Sequence, residues 1–238
     1  MSVLPLPEAS PCQTRMQIDF AGQRVTLNAC GALFLPELRF LVVADLHLEK
    51  GSFFAARGNP IPCYDTRDTL LRLAETMRIY APRAVICLGD SFHDRGAGAR
   101  MRLPDAHLLR ELIGGVGEWI WLTGNHDPEI PEGVPGRVAP RVKAGTLTLC
   151  HRPEDGAAPL IAGHYHPKHT MRLAGQHVSA RCFVLGEGLL LMPAFGAYAG
   201  GLSTLDAAIG SLFDPTPSGY VMMYRNKLWA VGPDDRTS

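Results

Sequence analysis

The stretch RFLVVADLH, residues 39–47, sets an uninterrupted apolar run against a polar loop that opens at Asp45. The same grammar recurs outward from it. AVICL (84–88) runs into Gly89-Asp90, and EWIWLT (118–123) into Gly124-Asn125-His126-Asp127. TLTLC (146–150) ends at His151, and LIA (160–162) leads to Gly163-His164-Tyr165-His166. Short runs of β-branched, aliphatic and aromatic residues bounded by such punctuation read as buried strands.

Helical patterns separate the early strands. Tyr64 to Arg78 places Leu70, Leu73, Ala74 and Met77 on one face, with Asp65 or Thr66 as N-cap and Pro82 as stop. Pro104 to Ile113 reads as a second helix. Strands alternating with helices imply an α/β fold. The later half is richer in strands, with a hairpin of RCFVL and LLLMPAF across Gly186-Glu187-Gly188. The early stretch FAGQRVTLNACGALFLP also reads as strands joined by a turn. Together these give two stacked, mixed β-sheets flanked by helices, in one domain spanning residues 1–238. About 1–14 and 230–238 are expected to be flexible.

Composition narrows the class. With 46% hydrophobic and 19% charged residues, the chain is an ordinary globular one, neither fibrous nor disordered. Its 23 basic and 23 acidic residues cancel, which argues against a chain-wide footprint for nucleic acid but not a local one. Cys12, Cys30, Cys63, Cys87, Cys150 and Cys182 form no Cys-x-x-Cys pair and read as small buried hydrophobes of a reducing compartment. The opening residues lack the pattern of a signal peptide. The most apolar stretch, Cys182 to Leu202, is broken by Glu187, Pro193 and glycines, so no membrane span is expected. A cytoplasmic location follows.

Five successive strands thus end in metal-competent residues: Asp45 and His47, Asp90, Asn125, His151, then His164 and His166, with His126 beside them. Strand carboxyl ends are where an open α/β sheet gathers its functional groups. Mixed carboxylate, imidazole and amide-oxygen donors favour manganese, iron or zinc. Seven candidates exceed what one ion takes, so two ions sharing a carboxylate are expected, with Asp90 the natural bridge. Such a pair holds a bridging hydroxide and clamps the entering and leaving oxygens of a phosphoryl group, which is chemistry for phosphoester hydrolysis.

The elements ADLH, LGD, TGNHD, CH and AGHYH, in that order over residues 45–166, resemble the signature of the calcineurin-like metallophosphoesterases. That resemblance implies a four-layer αββα sandwich. It implies one ion on Asp45, His47, Asp90 and His166 and a second on Asp90, Asn125, His151 and His164. It casts His126 as a non-ligand acting on the transition state or leaving oxygen, oriented by Asp127 or Asp94. LHLEKGSFFAARGNPIPCYDT (46–66), LGDSFHD (88–94) and PAFGAYAGGLSTLD (193–206) further look like the bacterial ligase-associated DNA-damage-response endonucleases of the PdeM type. This implies a manganese-dependent phosphodiesterase with DNA as substrate and repair helicases or ligases as partners. A phosphatase or phosphodiesterase of nucleotides or other small phosphoesters is the alternative. A metal-free scaffold would have lost ligands, and here every position is filled.

Supporting residues divide between site and framework. His93 reads either as a rim residue of the site or as a loop cap. Arg57 is a candidate phosphate contact. Arg95 is another, although its spacing from Gly89-Asp90 is one residue longer than in the similar protein-phosphatase motif. His107 reads as a helix-surface histidine, and Trp119 and Trp121 as core. His169 is a weaker substrate contact. Basic residues without acids at 137–152 and 166–181 adjoin the ligands, as a nucleic-acid backbone would require. The 193–206 loop offers either Phe195 or Tyr198 for base stacking, or a turn of close backbone approach.

Overall fold

The computed structural model describes Cys12 and residues 14–233, except 60, 156, 174, 175 and 215. The first sheet is built from β1 (Arg15–Phe20), β2 (Gln23–Asn28), β3 (Leu33–Leu35) and β4 (Phe40–Val43). Helices α1 (Lys50–Ala55) and α2 (Asp65–Tyr80) lead to β5 (Ala84–Cys87). Then α3 (Ala97–Arg100) and α4 (Leu103–Gly114) lead to β6 (Glu118–Leu122) and β7 (Arg137–Ala139). Spatial order follows chain order, antiparallel from β1 to β4 and parallel from β4 to β7.

The second sheet comprises β8 (Arg141–Ala144), β9 (Leu147–Cys150), β10 (Leu160–Ala162), β11 (Lys168–Leu173), β12 (Gln176–Leu185) and β13 (Leu189–Leu191). After α5 (Ala207–Gly210) it is completed by β14 (Gly219–Tyr224) and β15 (Lys227–Val231). Its order is β15-β14-β12-β13-β10-β9-β8, with β11 paired to β12. Here β9, β10 and β13 run parallel and the rest antiparallel.

Side-chain alternation along each strand decides which layer a residue joins. Val42, Ile86 and Ile120 of the first sheet meet Leu149, Ile161, Phe183, Leu190 and Val221 of the second in one core between the sheets. Their neighbours Leu41, Val43, Val85, Cys87, Trp119 and Trp121 point the other way, against Leu70 and Leu73 of α2 and Leu109 and Ile113 of α4. On the far side of the second sheet, Val184, Leu191 and Tyr220 pack with Ile209 and Phe213. Truncating Ile86 or Ile120 to Ala at the central layer should cost about 2–5 kcal/mol. The expected two mixed sheets with flanking helices are present, but the fourth layer is thin, its α-helix among the described residues being the four-residue α5.

One local expectation changes. Tyr64 occupies the N-cap of α2 and makes no side-chain cap. Asp65 instead accepts from the Gly51 N–H (3.0 Å), and Thr66 Oγ1 accepts from Glu49 N–H (2.8 Å), tying α2 to α1. The expected looseness of 1–14 and 230–238 falls largely outside the described residues. Within them, Cys12 is buried and β15 continues to Val231. Five of the six free cysteines are buried, as expected of small hydrophobes. Among the described residues, no helix is long and apolar enough to cross a membrane.

Candidate metal centre

The carboxyl ends of β4, β5 and β6 in one sheet and β9 and β10 in the other converge on one edge of the sandwich. The loops are hydrogen-bonded into one frame there. His47 N–H donates to Asp90 O (2.9 Å), Gly163 N–H to His151 O (3.0 Å), and Phe195 N–H to Ala44 O (2.7 Å), the last crossing between sheets.

The chain turns sharply to aim its side chains at this edge. Asp45, His47, Asp90, His164 and His166 all adopt left-handed backbone, with φ of 52°, 43°, 46°, 73° and 46°. Each such non-glycine residue costs about 1–3 kcal/mol and persists only where its surroundings dictate it. Three glycines on these loops are needed for the space they leave. A Cβ on Gly89 would lie 2.6 Å from His151 Nδ1, one on Gly163 2.6 Å from Asp45 Oδ2, and one on Gly124 would overlap the Asp90 carboxylate. Every Gly-ligand pair in the sequence therefore makes room for a ligand from another loop.

Three groups of donors result. Atoms of Asp45, His47 and His166 lie within 4.8 Å of one another, as do those of Asp90, His151 and His164 and those of His47, His93 and His126. The site tests itself for a cation through its proton inventory. His151 Nδ1 is 2.7 Å from Leu88 O and must donate its hydrogen there, leaving Nε2 as a lone pair. That lone pair faces Asn125 Oδ1 at 3.1 Å, Asp90 Oδ1 at 3.5 Å and His164 Nδ1 at 3.1 Å. His47 Nε2 and His166 Nε2 approach to 3.3 Å, and His166 Nε2 lies 3.3 Å from Asp45 Oδ1. Converging acceptors are what a metal ion satisfies, and the His and Asp groups fit a binuclear centre.

The protonation states agree. Burial pushes the His47 imidazole down to about 3 despite the Asp45 charge. Burial and His151 also lower His164, so these rings stay neutral and able to ligate. Burial pushes the Asp45 carboxyl up, but His166, His151 and His47 outweigh it and hold the group below its ordinary value. Asp45 also accepts the His164 N–H at 3.0 Å.

His126 belongs to the all-histidine group and to neither of the two that include a carboxylate. Its N–H donates to Asp90 Oδ1 (2.9 Å), and its Nδ1 lies 2.9 Å from His93 O. The orienting partner is therefore a backbone carbonyl, not the carboxylate expected from sequence. Asp127 is turned away, accepting from Ser91 N–H (2.7 Å), Phe92 N–H (3.1 Å) and Gly124 N–H (3.2 Å), so it stitches the two loops together. Burial raises its carboxyl to about 7, with Asp90 adding to the rise against the Phe92 and Ser91 N–H groups. Asp94 is occupied by Arg100, whose Nε also reaches Ser52 Oγ (3.1 Å).

His93 is buried beside the donor groups, its ring stacked on His126 (5.3 Å) and edge-on to Phe53 (4.6 Å). Arg57 lies over the other aromatic partner, with its guanidinium 3.5 Å from the Phe53 centroid. Arg95 is exposed.

Several readings from sequence are corrected. Phe195 is fully buried beneath the Arg72 guanidinium, so it does not stack on a base. Tyr198 donates to Pro62 O (2.7 Å). Close approach explains the loop instead, since a Cβ on Gly196 would overlap Leu46 O. Arg181 leaves the basic surface because its guanidinium serves Ala194 O (2.8 Å). His169 is buried against Tyr220, whereas His107 is exposed and Trp119 and Trp121 are core, as expected. The sequence reading missed Glu49, a buried acid that takes Ser52 Oγ (2.6 Å) and Thr66 Oγ1 (2.8 Å) and braces the loop after His47. Its only signal was an acid two residues past His47. A cavity of about 710 Å³, with Leu160, Leu189 and Phe213 in its wall, opens at the amino ends of β10 and β13, away from this centre.

Residues 38–179 match the family described as calcineurin-like phosphoesterase, and the chain belongs to it: it is a metallophosphoesterase. Among solved structures it is similar to the nuclease MPE of Pseudomonas putida, at 28% identity and a TM-score of 0.74, over 92% of this chain and 100% of that one. Yfce, a phosphoesterase from E. coli, stands further off, at 18% identity and a TM-score of 0.38, over 83% of this chain and 94% of that one. No curated protein matches the chain.

Proposed function

We propose that this chain is a divalent-metal phosphodiesterase that cuts DNA. In this reading one ion is held by Asp45, His47, Asp90 and His166, and a second by Asp90, Asn125, His151 and His164. The observation that carries the metals is the His151 Nε2 lone pair facing two acceptor oxygens, with its own hydrogen already given to Leu88 O. Likeness to the nuclease MPE along nearly the whole chain supports the nucleic-acid substrate. Manganese suits the mixture of imidazole, carboxylate and amide oxygen.

When bound, such an ion pair activates water and neutralises charge on the phosphate. The residues do the rest. Asp45 and Asp90 offset only part of the charge of two divalent ions, so the centre attracts an anionic diester. Asp90 holds the His126 N–H, fixing the loop that carries this ring over the reacting phosphorus. His93 O binds the Nδ1 hydrogen of His126, leaving the Nε2 lone pair turned to the centre; Nε2 first takes up a proton from water and then passes it to the leaving oxygen as the bond from that oxygen to phosphorus breaks.

The test is the purified chain, stripped of metal and reloaded with Mn, Zn, Mg or Ni. It is assayed on single-stranded DNA, duplex DNA, a generic phosphodiester and a phosphomonoester. Metal-dependent cleavage of DNA and diester is expected. Turnover of monoesters alone would overturn the reading in favour of a small-molecule phosphatase.

A further inference from the structure

The basic stretch that follows His166 has a geometry that the metal centre does not use. Among the described residues, β11 pairs along its length with β12, in the register Lys168↔Arg181, Thr170↔Ser179, Arg172↔His177, and at its root Lys168 also bridges to Ser203. Strand β12 joins β14 only from Cys182 onward, so Gln176 to Arg181 and β11 form a two-stranded ribbon beyond the sheet.

Its two faces differ completely. His169, Met171 and Ala180 turn inward. His169 stacks on Tyr220 at 4.1 Å and bonds Thr204 Oγ1 at 2.7 Å, while Met171 and Ala180 pack on the core behind the second sheet. The alternate residues and their cross-strand partners share the opposite face. That face carries Lys168, Thr170, Arg172, His177, Ser179 and Arg181, with no acid among them. Arg181 is consumed at the root by loop carbonyls, but Arg172, Ser179 and His177 are exposed towards the end.

We infer that this ribbon face binds the nucleic-acid backbone on one side of the scissile phosphate, with Arg172 and His177 as its outer contacts and Lys168 as the inner one. The inference rests on the proposed phosphodiesterase reading. The ribbon starts two residues past His166, so its root lies at the centre. From Lys168 to Arg172 it extends roughly 13 Å at about 3.3 Å per residue. Phosphates along one strand of a duplex are spaced roughly 3.4 Å along the axis, so the face can follow several of them. A two-stranded ribbon is also a shape that a major groove accepts. A charged edge strand has an ordinary use as well, the blocking of edge-to-edge aggregation. Charge reversal separates the two uses: Arg172→Glu keeps the edge charged but repels phosphate.

The experiment compares wild type with Arg172→Glu and with Arg172→Ala/His177→Gln, as full-length metal-loaded protein. Each is assayed on a long DNA and on a small phosphodiester too short to reach the ribbon. The expected result is a KM for DNA raised about tenfold or more, with turnover of the small diester retained within about twofold. The slope of log affinity against log salt should shrink by about one for each phosphate contact removed. An unchanged KM and salt slope on DNA that the wild type does cut would overturn the inference alone. Equal loss on both substrates would also overturn it, because the ribbon would then act through the fold. Wild type that cuts the small diester but no DNA would overturn the proposed function and this inference together.

Discussion

His126 Nδ1 lies 2.9 Å from the backbone carbonyl oxygen of His93, and the two rings stack with centroids 5.3 Å apart. A carbonyl can only accept, so this contact fixes the Nδ1–H tautomer and turns Nε2 towards the centre. In the proposed function this ring is no metal ligand. His126→Ala should therefore retain both metals, measured by elemental analysis, while turnover falls by about 100- to 10,000-fold. Loss of metal in proportion to activity would make His126 a ligand instead.

Asp90 has the opposite character. Its Oδ1 takes the His126 N–H at 2.9 Å and lies 3.5 Å from His151 Nε2, so one carboxylate serves the loop and the donor group together. Asp90→Ala should empty both metal positions and lower turnover by roughly a thousandfold or more. Calorimetric titration with manganese checks the first point. A variant that still binds two ions per chain would refute the bridging role.

The centre was legible in sequence because its strands are buried on both faces and so appear as unbroken apolar runs ending abruptly in Gly-Asp, Gly-Asn-His and Gly-His-x-His. The glycines and the ligands carry the same information, since Gly89, Gly124 and Gly163 each clear space for a ligand from another loop. What could not be read were contacts made through the backbone or decided by packing. The partner of His126 is a carbonyl, which leaves no side-chain signature. Asp65 and Thr66 have the right chemistry to cap α2, but α1 packs close enough to take their oxygens. Arg181 and Phe195 resembled substrate contacts until the fold placed one on loop carbonyls and the other in the core.

Asp127 is such a backbone-bound residue, and its variant should separate architecture from chemistry. The carboxylate accepts three N–H groups from two loops while almost completely buried. In Asp127→Asn the amide nitrogen would face donors instead of accepting from them. Leaving such groups unpaired costs about 1–3 kcal/mol, or a few degrees to about 10 °C in Tm at this chain length. Thermal denaturation of the metal-loaded protein checks this, and an unchanged Tm would remove the stitching role.

Acid should act on the metal-free protein through its buried imidazoles. Burial, the Lys50 ammonium and His126 hold His93 down to about 4, and burial holds His47 down to about 3, both from an ordinary 6.5. Between those values and 6.5 the unfolded chain takes up protons on rings that stay neutral in the native state. Stability therefore falls as pH drops below about 6.5, with a slope of at most about 1.4 kcal/mol per pH unit for each proton. The part due to His93 ends near pH 4, where its native ring also protonates. His93→Phe keeps an aromatic ring against His126 and Phe53 but removes that proton site. Urea unfolding of the metal-stripped variant should show a shallower loss between pH 6.5 and 4 than wild type. Parallel profiles would mean that His93 is not held neutral in the folded chain.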